Sequence, residues 1–221
     1  MEKFDESIQT PARISLTNLI DDCFSTDPLA PYQADIRNWA TTYLTAPHPE
    51  LGREGPVCPR TAPSISKELF WIGCVDRPYL TVVDIERTAA GMVTEFHRLP
   101  PTEGSDALFK TIVILFPTVT AYEMIDEAQR RLKNEFVAMG LMIGQFYPGC
   151  DVPGIRNPEF RPMQSPFALL AIRHMVSGDF PFLTGELKWI EEYLKRFAPA
   201  IPAAVRSIIA ARFEVQNIQA P

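Results

Sequence analysis

Residues 109–146 read FKTIVILFPTVTAYEMIDEAQRRLKNEFVAMGLMIGQF, and the order of patterns within them decides the fold. The run TIVILF over 111–116 is rich in β-branched residues and predicts a central strand. Thr120 and Glu123 stand at capping-box spacing. Behind them Ile125, Ala128, Leu132 and Met139 place an apolar stripe on a long helix that Gly140 can end in the left-handed conformation. Leu141 to Phe146 then returns as a strand.

The same alternation continues on both sides. Upstream, Leu69 to Val75 is a short apolar run that predicts a buried strand, and Thr81 with Asp84 caps a helix carrying Val82, Ile85, Ala89, Met92 and Phe96. Further upstream, Tyr32, Ile36, Trp39 and Tyr43 recur at helical spacing up to Ala46, and residues 1–30 read as an extended arm. Downstream, Ala168 to Met175 predicts a further strand, and two amphipathic helices follow, through Leu187 to Phe197 and Val205 to Phe213. The pattern predicts an α+β fold with a small mixed sheet of about four strands covered by helices and a helical C-terminus. One domain spans 31–215, and 216–221 reads as a frayed tail.

With 221 residues, 46% of them hydrophobic, the chain can bury one sizeable core. A net charge of -6 and scattered basic residues argue against nucleic acid or an anionic membrane as the partner. The first residues, MEKFDESIQT, resemble no secretory signal or transit peptide, so the expected location is cytoplasmic. Cysteines 23, 58, 74 and 150 form no Cys-x-x-Cys pair, which predicts reduced thiols rather than a zinc site. The apolar surface of the C-terminal helices is compatible with a homodimer.

Two stretches stand apart. In QFYPGCDVPGIRNPEFRPMQSP, five prolines at 148, 153, 158, 162 and 166 fix φ and remove donors, so this segment is a stiff loop suited to aiming side chains. In HPELGREGPVCPRTAP, Gly and Pro give turn chemistry from Pro47 to Pro63. Their reactive residues define a candidate site. His48 and His174 are candidate metal or haem ligands, although a strand histidine such as His174 is more ordinarily a satisfied, half-buried side chain. His97, late in a helix, is explained by the dipole alone.

Arg156, Arg161 and Arg173 can grip a carboxylate or phosphate, or else tie down the loop's own carbonyls, and Asn157 beside them suits a turn cap. Cys58 and Cys150 fall in the two loops, so a shared pocket holding a thiol, a histidine and arginines is a geometric expectation, whereas Cys74 reads as packing. Tyr147 is a candidate proton donor or the edge of a core. No G-x-S-x-G elbow, H-E-x-x-H, phosphate-binding loop or dinucleotide fingerprint occurs.

The ordered segments HPELGREGPVCPR, GLMIGQFYPGCDVPGIRNPEF, RPMQSPFALLAIRHMV and DFPFL resemble a domain family of unknown function found mostly in bacterial, and less often fungal, natural-product gene clusters. The resemblance covers roughly residues 40–200. The chain departs from that family at Tyr147, where the family pattern Gly-x-Phe-His-Pro has histidine. A more distant similarity is to the YqcI/YcgG group, some members of which are haem-dependent enzymes that hydroxylate a guanidine nitrogen. It rests on the Pro-Cys-Pro-like loop, on Phe136, Val137 and Gly140, and on the Arg/Pro segment that follows.

This similarity implies a histidine, His48 or His174, as axial haem ligand and an arginine orienting an amino-acid carboxylate. The expected function is then a tailoring enzyme of specialised metabolism, a haem-dependent N-oxygenase acting on an amino-acid-like substrate. The alternative is a non-catalytic accessory protein binding a pathway enzyme or a small acidic metabolite. A cofactor-free enzyme using Cys58 or Cys150 is the third reading.

Overall fold

The computed structural model describes residues 14–23 and 25–218, with side chains as far as Phe213. Most of the first half of the expected arm and the tip of the expected tail, residues 219–221, lie outside these bounds.

In chain order the elements are β1 (Leu16–Asn18), α1 (Gln33–Asn38), α2 (Thr61–Ser66), β2 (Phe70–Cys74), α3 (Val82–Arg98), β3 (Thr111–Leu115), α4 (Glu123–Ala138), β4 (Leu141–Phe146), β5 (Leu169–His174), α5 (Leu187–Phe197) and α6 (Ala203–Ile218). They form a mixed five-stranded sheet in the order β1-β2-β3-β5-β4. β2 and β3 are parallel, with Phe70 opposite Thr111 and Cys74 opposite Leu115, whereas β5 is antiparallel to both β3 and β4. Strands β2, β3 and β4 therefore point the same way. β5 is inserted between the last two.

β3 reads as a continuous apolar run because both its faces are covered: Ile112, Val113, Ile114 and Leu115 are all buried. One face, with Ile112, Ile114, Ile143 and Ile172, packs on Ile85, Ala89 and Phe96 of α3 and Ile125, Ala128 and Phe136 of α4. The other face, with Phe70, Ile72, Val113 and Leu169, is covered by Leu19, Leu29, Ile36, Trp39 and Leu44 from the N-terminal third. A smaller cluster of Val137, Met142, Met175 and Leu183 seats α5 through Trp189 and Tyr193.

The α+β architecture agrees with the sequence expectation, and three details differ from it. The arm supplies a fifth strand, since β1 pairs antiparallel with β2, Leu16 opposite Gly73. Three residues are too few for the period-2 signal to register. The expected first helix is α1 followed without a break by a π-helical turn, Trp39–Leu44. There the hydroxyls of Thr41, Thr42 and Thr45 donate to the carbonyls of Arg37, Asn38 and Thr41, one turn back.

Third, the Thr81–Asp84 capping box forms, but Thr120 does not cap α4, whose N-terminal boundary is Tyr122 with no side-chain cap. The first donors of α4 are met by backbone instead, Met124 N–H donating to Ala121 O and Ile125 N–H to Tyr122 O. Gly140, at φ 72, ends α4 as its position implied.

Candidate functional site

The two stiff loops meet on the face of the sheet covered by the N-terminal third. The π-helical turn after α1 aims two aromatic residues at the proline-rich loop. Trp39 Nε1–H donates to Gln164 O at 2.8 Å, and the Tyr43 hydroxyl donates to Pro162 O at 3.2 Å. Asn157 Nδ2 donates to Glu50 O at 2.8 Å, tying one loop to the other. Within the proline-rich loop, Gly154 N–H donates to Phe160 O and Phe160 N–H to Asn157 O, which folds the loop around the buried Phe160 ring.

His48 stacks on that ring with centroids 4.4 Å apart. It also precedes a short 3-10 turn, Pro49–Leu51, and its Nδ1 accepts the Glu50 N–H at 3.2 Å. The neutral imidazole then carries its proton on Nε2. An open cleft of about 270 Å³ lies beside it, bounded by Tyr43, His48 and Phe160 and by the polar groups of Glu50, Glu159, Arg161 and Gln164.

Arg161 lines this cleft from a fixed position. Its Nε donates to Asp151 Oδ1 at 2.5 Å, and its Nη1 donates to the carbonyls of Pro158 and Phe160. Its Nη2 has no hydrogen-bond partner among the described residues. Arg156 is exposed and has no ion pair among the described residues.

Arg173 is elsewhere and fully engaged. It forms a two-pronged pair with the buried Asp179, at 2.7 and 2.6 Å, and also donates to His174 O. Burial opposes its charge, but the Asp179 carboxylate outweighs that and holds the guanidinium protonated beyond its ordinary range. Asp179 in turn accepts Val176 N–H at 2.8 Å. This is an internal brace between β5 and the turn after it.

Tyr147 closes the core next to β4. Its hydroxyl donates to Asp126 Oδ2 at 2.8 Å, and its ring stacks on Tyr122 at 4.9 Å. Burial and the adjacent carboxylate push the phenol well above its usual range, so it is a poor proton donor at neutral pH. Cys150 beside it is completely buried, with its thiol also raised by burial. Cys58 borders the cluster on the opposite face and is a free, half-buried thiol. The expected shared pocket of Cys58 and Cys150 is therefore not formed. Cys74 is packing, its thiol pushed up to about 12 by burial.

His174 is half-buried on the α3/α4 face, edge-on to Phe96 at 4.9 Å, and does not meet His48. His48 lines the loop cleft beyond the last residue of β4, whereas His174 pairs with the first, Leu141. Burial lowers the His174 imidazole to about 4, with Lys110, His97 and Arg196 adding to the effect.

Residues 33–208 match the family described as a domain of unknown function, DUF6875. The chain belongs to that family. No curated protein matches it, and no solved structure does. The DUF6875 match runs from the first residue of α1 to the middle of α6, so both loops of the cleft and the whole sheet except β1 lie within it.

Of the candidate residues, the cleft gathers His48 and Arg161. Arg173, Tyr147, Cys58 and His174 lie outside it, and Arg156 lies behind it, against Gly52. Sequence reasoning missed Tyr43, Glu50, Glu159, Phe160 and Gln164. The one available signal was that Glu159 and Phe160 fall between prolines 158 and 162, inside the stretch already marked as stiff. No helix among the described residues is long and apolar enough to cross a membrane. Among them, no group of three or more His, Cys, Asp or Glu side chains is arranged to hold a metal ion.

Proposed function

We propose that this DUF6875 chain binds an amino-acid-like metabolite in the cleft between its two loops, as an accessory binding protein of specialised metabolism. The observation that carries this reading is that one small cleft presents both signs of charge against aromatic walls. Glu50 and Glu159 suit an ammonium group. Arg161 Nη2 and the His48 Nε2–H suit a carboxylate. The rings of Tyr43 and Phe160 supply the apolar side. Internal partners engage Arg173 and Tyr147, which leaves few of the candidate residues available for acid–base work. The setting in specialised metabolism rests on the resemblance to gene-cluster domains.

The second reading is a cytoplasmic haem-dependent N-oxygenase, and its support is the distant similarity to the YqcI/YcgG group. The residues present do not fit haem. A ligating imidazole donates a proton from its outer nitrogen and offers the other nitrogen to iron. His48 does the reverse, accepting at Nδ1 and carrying the proton on Nε2, and a cleft of about 270 Å³ is small for a porphyrin. His174 faces Lys110, His97 and Arg196, whose charges oppose a ferric centre.

The test is calorimetric titration of the full chain with a panel of free amino acids that includes arginine. Saturable binding of at least one zwitterion, weakened about tenfold in Glu159→Gln, is expected, since a lost charge-assisted hydrogen bond has that scale. No binding across the panel overturns the proposal, and a stoichiometric Soret band after addition of haem would restore the oxygenase reading.

A further inference from the structure

On the other face of the sheet, at the opposite end of β4 from the cleft, four basic groups converge, none of them in an ion pair with a carboxylate among the described residues. Phe96, near the C-terminal end of α3, is the floor under three of them, Lys110, His174 and His97. The Lys110 ammonium lies 5.0 Å from the centre of its ring, and the His174 ring meets it edge-on at 4.9 Å. Lys110 is itself buried, 1% exposed, with its ammonium donating to Leu99 O and Pro101 O at 2.5 and 3.0 Å. Its position is thus set by the backbone following α3. His97 follows Phe96 in the last turn of that helix.

The fourth group arrives from α5. Gly140, which ends α4, has no β-carbon, and the Arg196 guanidinium occupies the space one would take: a β-carbon there would lie 1.9 Å from Arg196 Nη2. Gly140 O accepts Met175 N–H at 2.9 Å, and Leu141 pairs with His174, so the guanidinium is seated beside the imidazole. The side chains of His174, His97 and Arg196 have neither a hydrogen bond nor an ion pair among the described residues. Of the other arginines, Arg37, Arg77, Arg98, Arg130, Arg131, Arg161 and Arg173 are each paired with a carboxylate, whereas Arg53, Arg60, Arg87 and Arg156 have no ion pair among the described residues, so it is the convergence of four basic groups that sets this patch apart. The chain as a whole is acidic, at -6, so an all-basic cluster without counter-charge is not an average patch of its surface.

We propose that His174, Arg196, His97 and Lys110 form a binding site for a dianionic oxyanion of the phosphate class. A planar guanidinium offers two parallel donors to such a group, and imidazole nitrogens can donate to its remaining oxygens. Lys110 contributes charge from below, its protons being directed to two carbonyls. Two fixed cations, Lys110 and Arg196, beside two imidazoles favour a double over a single negative charge. A phosphorylated metabolite or free phosphate would satisfy the site equally. It is independent of the loop cleft.

The test is a titration of the full chain with inorganic phosphate at constant ionic strength, followed by the Cε1–H resonances of its three histidines. A matched titration with acetate, and one with a phosphate monoester, run alongside. His174 and His97 should shift saturably with phosphate while His48, in the cleft, stays still. In Arg196→Gln, whose replaced side chain is exposed, the affinity should fall about tenfold. Tighter binding of the monoester than of phosphate assigns the site to a metabolite, and equal binding assigns it to the free ion, both within the proposal. No saturable shift of His174, an equal response to acetate, movement of all three histidines together, or unchanged affinity in Arg196→Gln overturns it.

Discussion

The α-carbon of Gly52 lies flush against Arg156: a β-carbon on Gly52 would sit 2.9 Å from Arg156 Cβ and 3.1 Å from its carbonyl carbon and oxygen. This contact sets how closely the two loops approach. Gly52 also has φ 72, so any other residue there meets both a strained backbone and a neighbouring chain that cannot swing aside. Gly52→Ala is expected to cost about 2–3 kcal/mol in thermal unfolding, combining the left-handed penalty with overpacking. Ligand binding in the cleft should weaken with it. Wild-type stability and affinity in this variant would show that the loops are not held by this approach.

The Arg173–Asp179 brace makes a separate prediction. Asp179 is 4% exposed in its side chain, and Asp179→Ala would leave the half-buried Arg173 guanidinium without its carboxylate. A loss of about 3–5 kcal/mol in urea unfolding is expected. The double variant Arg173→Met/Asp179→Leu should recover most of that, because the cost lies in the unpaired charge and not in losing the pair.

Tyr147→Phe keeps the stack on Tyr122 and removes the one hydrogen bond made to Asp126, whose other buried oxygen, Oδ1, already has no partner. Loss of about 1–3 kcal/mol of stability is expected from the unsatisfied carboxylate. Binding of ligands in the loop cleft should be unaffected, which separates this site from that one.

His174 predicts a pH dependence of definite sign. Its imidazole is held near 4 in the fold against the ordinary 6.5 of an unfolded chain, so between those values the unfolded state binds the extra proton. Stability contributed by the neutral ring is complete above about 6.5 and is lost as the pH falls toward 4. Unfolding midpoints measured across that window should fall less steeply in His174→Gln than in the wild type. Saturating phosphate should also flatten the wild-type slope, since a bound anion offsets the cations that depress the ring.

Local patterns settled a good deal. The β-branched run at 111–116 could only be a buried strand. The Thr81–Asp84 pair could cap a helix without help from elsewhere, and Gly140 could end one, because these features need no partner beyond a few residues away. The stiffness of the two loops was legible too, since proline restricts φ wherever it stands.

The partners of the side chains were not legible. Arg161 and Arg173 look alike as candidates to grip an anion, yet one lines a cleft and the other is consumed by Asp179, and that difference is made by the turn after β5. His48 and His174 read as two candidates for one site until the sheet put them on opposite faces and at opposite ends of β4. Arg196 and Lys110 carried no signal, because their meeting depends on α5 crossing the end of α4 and on a glycine with room for a guanidinium. Secondary structure follows from short-range sterics and hydrogen bonding and so lies within the sequence as read. A site is a coincidence in space of residues far apart in the chain, and only packing brings it about.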